Sequence, residues 1–218
     1  MNEDAKFPKQ LSLWEPPPTF YQYCLIAGVD EVGRGCLFGP VVAAAVILPP
    51  SLEADLLAAG VKDSKLLTSA RRLQLARLIQ KVASAYSIGV ASVREIDRLN
   101  ILQASLLAMK RAIFKLGVAP ELCLIDGNQP IPDLPFPQQT VVKGDRTSLV
   151  ISAASIIAKV WRDELITRLA AKYPFYDLTN NKGYATKKHL LALQKYGRSP
   201  HHRLSFTPCQ ISYESKNF

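Results

Sequence analysis

Histidine is scarce in this 218-residue chain, and its three copies, His189, His201 and His202, all fall in the last thirty residues. None stands at metal-ligand spacing from a cysteine or an acid, which argues against a histidine-rich zinc site and against a paired-histidine ribonuclease mechanism. Cysteine is equally sparse. Its four copies (24, 36, 123 and 209) form no Cys-x-x-Cys pair, and Cys24 and Cys123 sit in apolar runs that predict buried free thiols. No apolar run approaches the roughly 18 residues of a membrane-spanning helix. The N-terminal segment, with Asp4, Pro8 and Pro16-Pro17-Pro18, lacks the apolar core of a secretory leader, so the cytoplasm is the expected compartment. There is no Gly-x-x-x-x-Gly-Lys loop for nucleotide hydrolysis and no nucleophile elbow for a Ser-His-Asp triad. Acidic residues are in deficit, 18 against 27 basic ones, and the net charge of +9 points to a polyanion. Without a basic amphipathic stretch, nucleic acid is favoured over a membrane surface.

What is present describes a globular α/β domain. Hydrophobic residues make up 48% of the chain and charged ones 21%, enough for a sizeable core. Residues 1–20 are polar and proline-rich and read as a loose tail, 21–208 as one domain, and 209–218 as a second tail. Hydrophobic patterning predicts strands near 23–30, 40–48, 85–92, 121–126 and 139–142. It predicts helices over 69–83, 101–116, 147–171 and 186–196, the third with an apolar and small-residue surface suited to packing on a sheet.

The chemistry concentrates where strands end. Gly28-Val29-Asp30-Glu31-Val32-Gly33-Arg34-Gly35 closes an apolar run with two carboxylates and a Gly-Arg-Gly turn. Neighbouring side chains of a strand face opposite ways, so both acids reach one site only if the strand breaks there. Leu124-Ile125-Asp126-Gly127 and Val142-Lys143-Gly144-Asp145 repeat the pattern. Each acid alone reads as a turn residue or helix cap. Together, three strand ends deliver Asp30, Glu31, Asp126 and Asp145 to the edge where open α/β sheets place their chemistry. Clustered carboxylates repel unless cations lie between them, and all-oxygen ligation selects Mg²⁺ or Mn²⁺.

From about Tyr23 to Thr207 the chain resembles bacterial ribonuclease HII, a type 2 ribonuclease H. The resemblance rests on the Gly28–Gly35 motif, Lys62-Asp63-Ser64-Lys65, the blocks around Asp126 and Asp145, and the helix Ser152–Val160. It extends to Lys182-Gly183-Tyr184-Ala185-Thr186 with His189, then Ser199-Pro200 and His202-Arg203. It implies a ribonuclease H-like five-stranded mixed sheet flanked by helices, with a helical C-terminal extension. It implies an endoribonuclease that hydrolyses the RNA strand of RNA–DNA hybrids and nicks 5′ of ribonucleotides embedded in duplex DNA, leaving 3′-hydroxyl and 5′-phosphate ends. Asp30, Glu31, Asp126 and Asp145 carry over as catalytic ligands of two Mg²⁺ or Mn²⁺ ions, with Asp30 bridging them. Gly33, Arg34 and Gly35 carry over as the contact to the ribose 2′-hydroxyl, Lys65 as a phosphate contact, and Tyr184 as the sensor of an RNA-to-DNA junction. Lys143, Arg146, Lys182, Lys187 and Lys188 would extend a basic track. The expected partner is nucleic acid, with no membrane, and the expected state a monomer. The chain departs from the family pattern at Phe38, Ala185 and His201, where alanine, glycine and an aliphatic residue are expected. Two other readings use the same residues: another ribonuclease H-like nuclease cutting DNA, and a hybrid-binding protein that does not catalyse.

Overall fold

The computed structural model describes residues 25–61 and 67–210. The tail 1–20, Cys24, the Lys62–Lys65 block and residues 211–218 lie outside them. In chain order the elements are β1 (Ile26–Val32), β2 (Val41–Ile47), α1 (Glu53–Ala58), α2 (Ser69–Val82), β3 (Ala85–Ala91), α3 (Val93–Leu99), α4 (Ile101–Phe114), β4 (Leu122–Asp126), β5 (Gln138–Val141), α5 (Gly144–Thr147), α6 (Leu149–Ala170), α7 (Leu178–Asn181) and α8 (Lys187–Tyr196). The strands form one mixed sheet in the order β3-β2-β1-β4-β5. β2 runs antiparallel to both β1 and β3, while β4 and β5 run parallel to β1.

The two-residue period of β2 divides the core. Val41, Ala43, Ala45 and Ile47 join Ala104, Ala108, Met109 and Ala112 of α4 on one face. Ala44 and Val46 join Leu75, Ala76 and Ile79 of α2 and Ala153, Ala154, Ile156 and Ile157 of α6 on the other. Small residues let α6 come unusually near the sheet. A Cβ on Gly28 of β1 would overlap the backbone carbonyl of Val150. Because backbone cannot swing aside, Gly28→Ala is expected to cost about 3 kcal/mol or more, read as a fall in the urea midpoint. That close approach brings Ser155 of α6 to Asp30 near the end of β1.

A third cluster builds the C-terminal extension: Leu37 and Phe38 pack with Ile166, Ala170, Tyr176, Leu178, Ala192, Leu193 and Cys209. Two of the sequence departures meet here. The Phe38 and His201 rings lie 5.6 Å apart, each also against Tyr173, so the large ring at 38 fills the space beside the histidine. Cys36, Cys123 and Cys209 are buried free thiols.

Candidate active site

β1 does not break at the two carboxylates, contrary to the sequence expectation. It runs on to Val32, with Asp30 and Glu31 opposite Ala44 and Ala43 of β2, and the turn comes at Gly33 (φ +91°). What gathers the acids is a missing neighbour. The pairing of β1 with β4 stops at Val29 and Ile125, so Asp30 and Glu31 line an open notch with Asp126, the last residue of β4, at its edge.

Asp145 lies beside Asp126 on the next turn. Val141 of β5 pairs with Asp126, and Lys143, with φ +58°, turns the chain into α5. The Asp145 N–H then donates to Asp126 Oδ1 at 3.3 Å. Gly144 keeps this turn close-packed: a Cβ there would press on Ile151 Cδ1, 2.5 Å away, and approach Asp126 Oδ1 at 3.3 Å. The Ser152 hydroxyl fixes the turn from α6 by donating to the Asp145 carbonyl at 2.7 Å.

The electrostatics record the crowding. Asp30 is buried, and its pKa is held well above the ordinary aspartate value, first by loss of water and then by the Glu31 and Asp126 charges. The Ser155 hydroxyl and the Glu31 N–H, which donates to Asp30 Oδ1 at 2.6 Å, pull it partly back. Burial also raises Glu31, and Asp126 adds to the rise, while Arg34 opposes it from 3.2 Å. Ser155 is a site residue that sequence reasoning passed over, because a serine inside an apolar helix run carries no local signal of what it faces.

The profile of the family described as Ribonuclease HII matches residues 27–209, a span that contains all four carboxylates. The chain belongs to the ribonuclease HII family. It is 68% identical over 188 residues to a ribonuclease HII of Trichodesmium erythraeum, covering 86% of this chain and 89% of that one. To the Trichormus variabilis ribonuclease HII it is 64% identical over 190 residues, covering 87% and 84%. Among solved structures, ribonuclease H2 of Pyrococcus horikoshii superposes with a TM-score of 0.73 at 26% identity, covering 85% of this chain and 95% of that one. The ribonuclease HII of Archaeoglobus fulgidus, solved in complex with PCNA, superposes with a TM-score of 0.70 at 29% identity, covering 83% and 92%. The enzyme is therefore a ribonuclease H, and its five-stranded mixed sheet is the ribonuclease H fold.

The remaining predicted residues fall at several places in the fold. Gly33, Arg34 and Gly35 follow directly from β1, with Arg34 and Gly35 exposed. Tyr184, 41% exposed, is joined to that loop by a bridge between Cys36 and Tyr184 and by the Leu37 N–H donating to the Gly183 carbonyl at 2.8 Å. Lys159 lies 5.8 Å from the centre of the Tyr184 ring. Lys65 is outside the described residues. Lys143 and Arg146 flank Asp145 and are exposed, as are Lys187 and Lys188 at the start of α8. Lys182 instead donates to the Thr167 hydroxyl at 2.6 Å.

Two groups have roles that the sequence reading did not assign, although it named His189, His202 and Arg203 among the family blocks. Arg162 and Arg203 are fully buried beneath the Gly33–Pro40 segment. Arg162 donates to the carbonyls of Phe38, Pro40 and Lys182 at 2.9–3.1 Å, and Arg203 to those of Gly33, Arg34 and Gly39 at 2.7–3.0 Å. The second group is a chain of ring nitrogens. The Ser199 N–H donates to His202 Nδ1 at 2.9 Å, His202 Nε2 lies 3.0 Å from His189 Nε2, and His189 Nδ1 lies 2.9 Å from the Tyr184 carbonyl. The backbone N–H fixes the tautomers: His202 carries its proton on Nε2 and donates to His189, which donates from Nδ1 to Tyr184. Both rings are buried and neutral, and burial with the neighbouring His189 pushes the His202 pKa down to about 3.

Proposed function

We propose that this ribonuclease H hydrolyses the RNA strand of RNA–DNA hybrids and nicks on the 5′ side of single ribonucleotides in duplex DNA, leaving a 3′-hydroxyl and a 5′-phosphate. The observation that carries the reading is the contiguity of two devices: a strand-end notch of Asp30, Glu31 and Asp126, with Asp145 on the adjoining turn, and, directly after β1 on the same chain, an exposed Gly-Arg-Gly loop. The first suits phosphodiester chemistry and the second a ribose.

The residues fit divalent cations. The donor set is carboxylate oxygen without histidine or cysteine, which suits Mg²⁺ or Mn²⁺. The raised Asp30 and Glu31 values express a repulsion that cations would relieve. Among the described residues no three acidic, histidine or cysteine side chains are grouped so as to hold a metal ion by themselves, and Mg²⁺ is ordinarily held by one or two carboxylates together with water and substrate phosphate. Asp30, Glu31 and Asp126 would hold one ion, and Asp30 with Asp145 a second. Bound there, the ions supply Lewis acidity for water attack and for the departing 3′-oxygen.

The chain's own part is positional. Ser155 and the Glu31 N–H orient the Asp30 carboxylate, and the Asp145 N–H orients Asp126. Arg34, paired with Glu31 on the exposed side, sets a positive charge beside the notch where a phosphate would lie. The Gly33–Gly35 backbone approaches the 2′-hydroxyl, which alone separates RNA from DNA at one nucleotide. Among the described residues a Cβ on Gly35 would meet nothing within 4 Å, which leaves room there for a sugar. The exposed ring of Tyr184 stacks on the sugar that follows. Tyr184→Ala is expected to weaken the preference for an RNA-to-DNA junction roughly tenfold, the scale of one aromatic contact with a nucleotide, while cutting of continuous hybrid persists. Equal losses on both substrates would remove the junction role.

The deciding experiment uses duplex DNA containing one ribonucleotide, with Mg²⁺, Mn²⁺ or chelator, beside an all-DNA control. The expected product is a metal-dependent nick 5′ of the ribonucleotide, with a 3′-hydroxyl end on a sequencing gel. Cutting of the all-DNA duplex at the same rate would turn the reading to a DNA nuclease. Tight binding without cutting would turn it to a hybrid-binding protein.

A further inference from the structure

We propose that Arg203 is a positioning residue for ribose recognition: by holding the carbonyls of Gly33 and Arg34 from inside the protein, it turns the N–H groups of Arg34 and Gly35 outward toward the sugar. The inference rests on the reading of Gly33–Gly35 as the 2′-hydroxyl contact and names what sets that contact's direction.

The argument begins with the planar peptide. In a trans peptide the carbonyl of one residue and the N–H of the next point in opposite directions, and no cis bond occurs among the described residues. Arg203 Nη2 donates to the Gly33 carbonyl and Nη1 to the Arg34 carbonyl, both at 2.7 Å. The N–H groups of Arg34 and Gly35 must therefore point away from Arg203. Arg203 is fully buried whereas Arg34 and Gly35 are exposed, so away means outward. Neither N–H finds an acceptor among the described residues. Two adjacent outward donors match an oxygen lone pair, which a ribose 2′-hydroxyl offers and a deoxyribose lacks.

The choice of side chain fits that task. Among the described residues every hydrogen bond of the Arg203 side chain ends on a main-chain carbonyl, the third from Nε to Gly39 at 3.0 Å. A buried cation bonded to no carboxylate is an expensive way merely to join two segments, which apolar packing does well. A rigid planar fork, however, fixes several carbonyls in one geometry, and a lysine ammonium on a flexible stem does not. Arg162 supplies an internal comparison. It is equally buried and also holds three carbonyls, but those of Phe38, Pro40 and Lys182, outside the two peptides in question.

The test compares Arg203→Lys with Arg162→Lys on the same two DNAs. Two constants are read for each protein: KM for a duplex carrying one ribonucleotide, and the inhibition constant of the otherwise identical all-DNA duplex as competitor. Their ratio measures discrimination for the 2′-hydroxyl. Arg203→Lys is expected to lower this ratio at least about tenfold by raising KM, with the all-DNA constant unchanged, because a site built around a hydroxyl discriminates through that contact. Arg162→Lys is expected to lose comparable thermal stability and keep the ratio. A purely structural Arg203 would move both constants together and leave the ratio intact, which overturns the proposal while the wild-type ratio still upholds 2′-hydroxyl recognition. A wild-type ratio near one overturns that underlying reading, and the proposal with it. If Arg203→Lys does not fold, Arg203→Gln is read in the same way. Couplings across the hydrogen bonds from the Arg203 guanidinium to the carbonyl carbons of 33 and 34, measured by NMR in the native protein, give an independent check, and their absence overturns the proposal.

Discussion

Asp126→Asn is expected to lower the rate of cutting by at least about 10³-fold while the protein remains folded. The substitution keeps the size and planarity of the side chain, so the acceptor for the Asp145 N–H survives as the amide oxygen and the turn after β5 is retained. What it removes is one negative charge from a notch that already holds too many. The companion variant Asp30→Asn makes the point in the opposite currency of stability. Asp30 is buried against Glu31 and Asp126, and its carboxyl resists ionisation. In chelator, therefore, Asp30→Asn is expected to raise the thermal midpoint while abolishing cutting, the pattern of a group kept for chemistry at the expense of the fold. Thermal melts with and without Mg²⁺, beside a nicking assay, check both variants. A fully active Asp126→Asn, or an Asp30→Asn that melts lower than the parent in chelator, would remove the carboxylate notch as the reacting centre.

Much of this site was legible because strand-end carboxylates leave a local mark, an apolar run closing in an acid with glycine beside it. The four acids needed no tertiary knowledge to be found, only to be joined. The means of joining was misread: the broken strand inferred from the face alternation of Asp30 and Glu31 is instead a continuous β1 whose partner β4 ends first, and the end of a partner strand is not written in either segment. α3 was missed although its start is spelled out. Ser92 and Glu95 form a capping box, with the Glu95 N–H donating to Ser92 Oγ at 3.3 Å and the Ser92 N–H to Glu95 Oε2 at 2.8 Å. The burial of Arg162 and Arg203 was illegible for a deeper reason. Beside Asp163 and Glu164, or after a pair of histidines, an arginine reads as surface, and only the convergence of carbonyls from residues well over a hundred positions away makes a buried cation tenable. Phe38 and His201 each looked like isolated departures, yet their rings meet in one cluster that joins two distant segments.

The second large effect concerns acid. His202, 1% exposed, has its pKa pushed down to about 3 from an ordinary value of 6.5, first by burial and then by His189. Between those two values the unfolded chain carries a proton on this residue and the folded chain does not, so acidification favours unfolding throughout that window. The loss is about 1.4 kcal/mol for each pH unit below 6.5, accumulating to roughly 4–5 kcal/mol near pH 3 and growing no further below it. The hydrogen-bond chain explains why the proton is refused. A proton added at His202 Nδ1 meets the Ser199 N–H, and one added at His189 Nε2 meets the proton already shared between the rings, so either way donor faces donor. Asp30 and Glu31, whose folded values are raised, act in the opposite sense as pH falls. The histidine contribution is therefore isolated as a difference between two proteins at the same pH. Unfolding free energies from urea titrations between pH 4 and 7 are expected to fall more steeply for the parent than for His202→Phe, by up to about 1.4 kcal/mol per pH unit. Parallel curves would show that the ring nitrogens do not hold their protons as the hydrogen bonds require. The consequence reaches the Tyr184 loop, because the last bond of the chain, from His189 Nδ1 to the Tyr184 carbonyl, is one of those that tie this loop to the rest of the protein, beside the Leu37 N–H to Gly183 carbonyl bond.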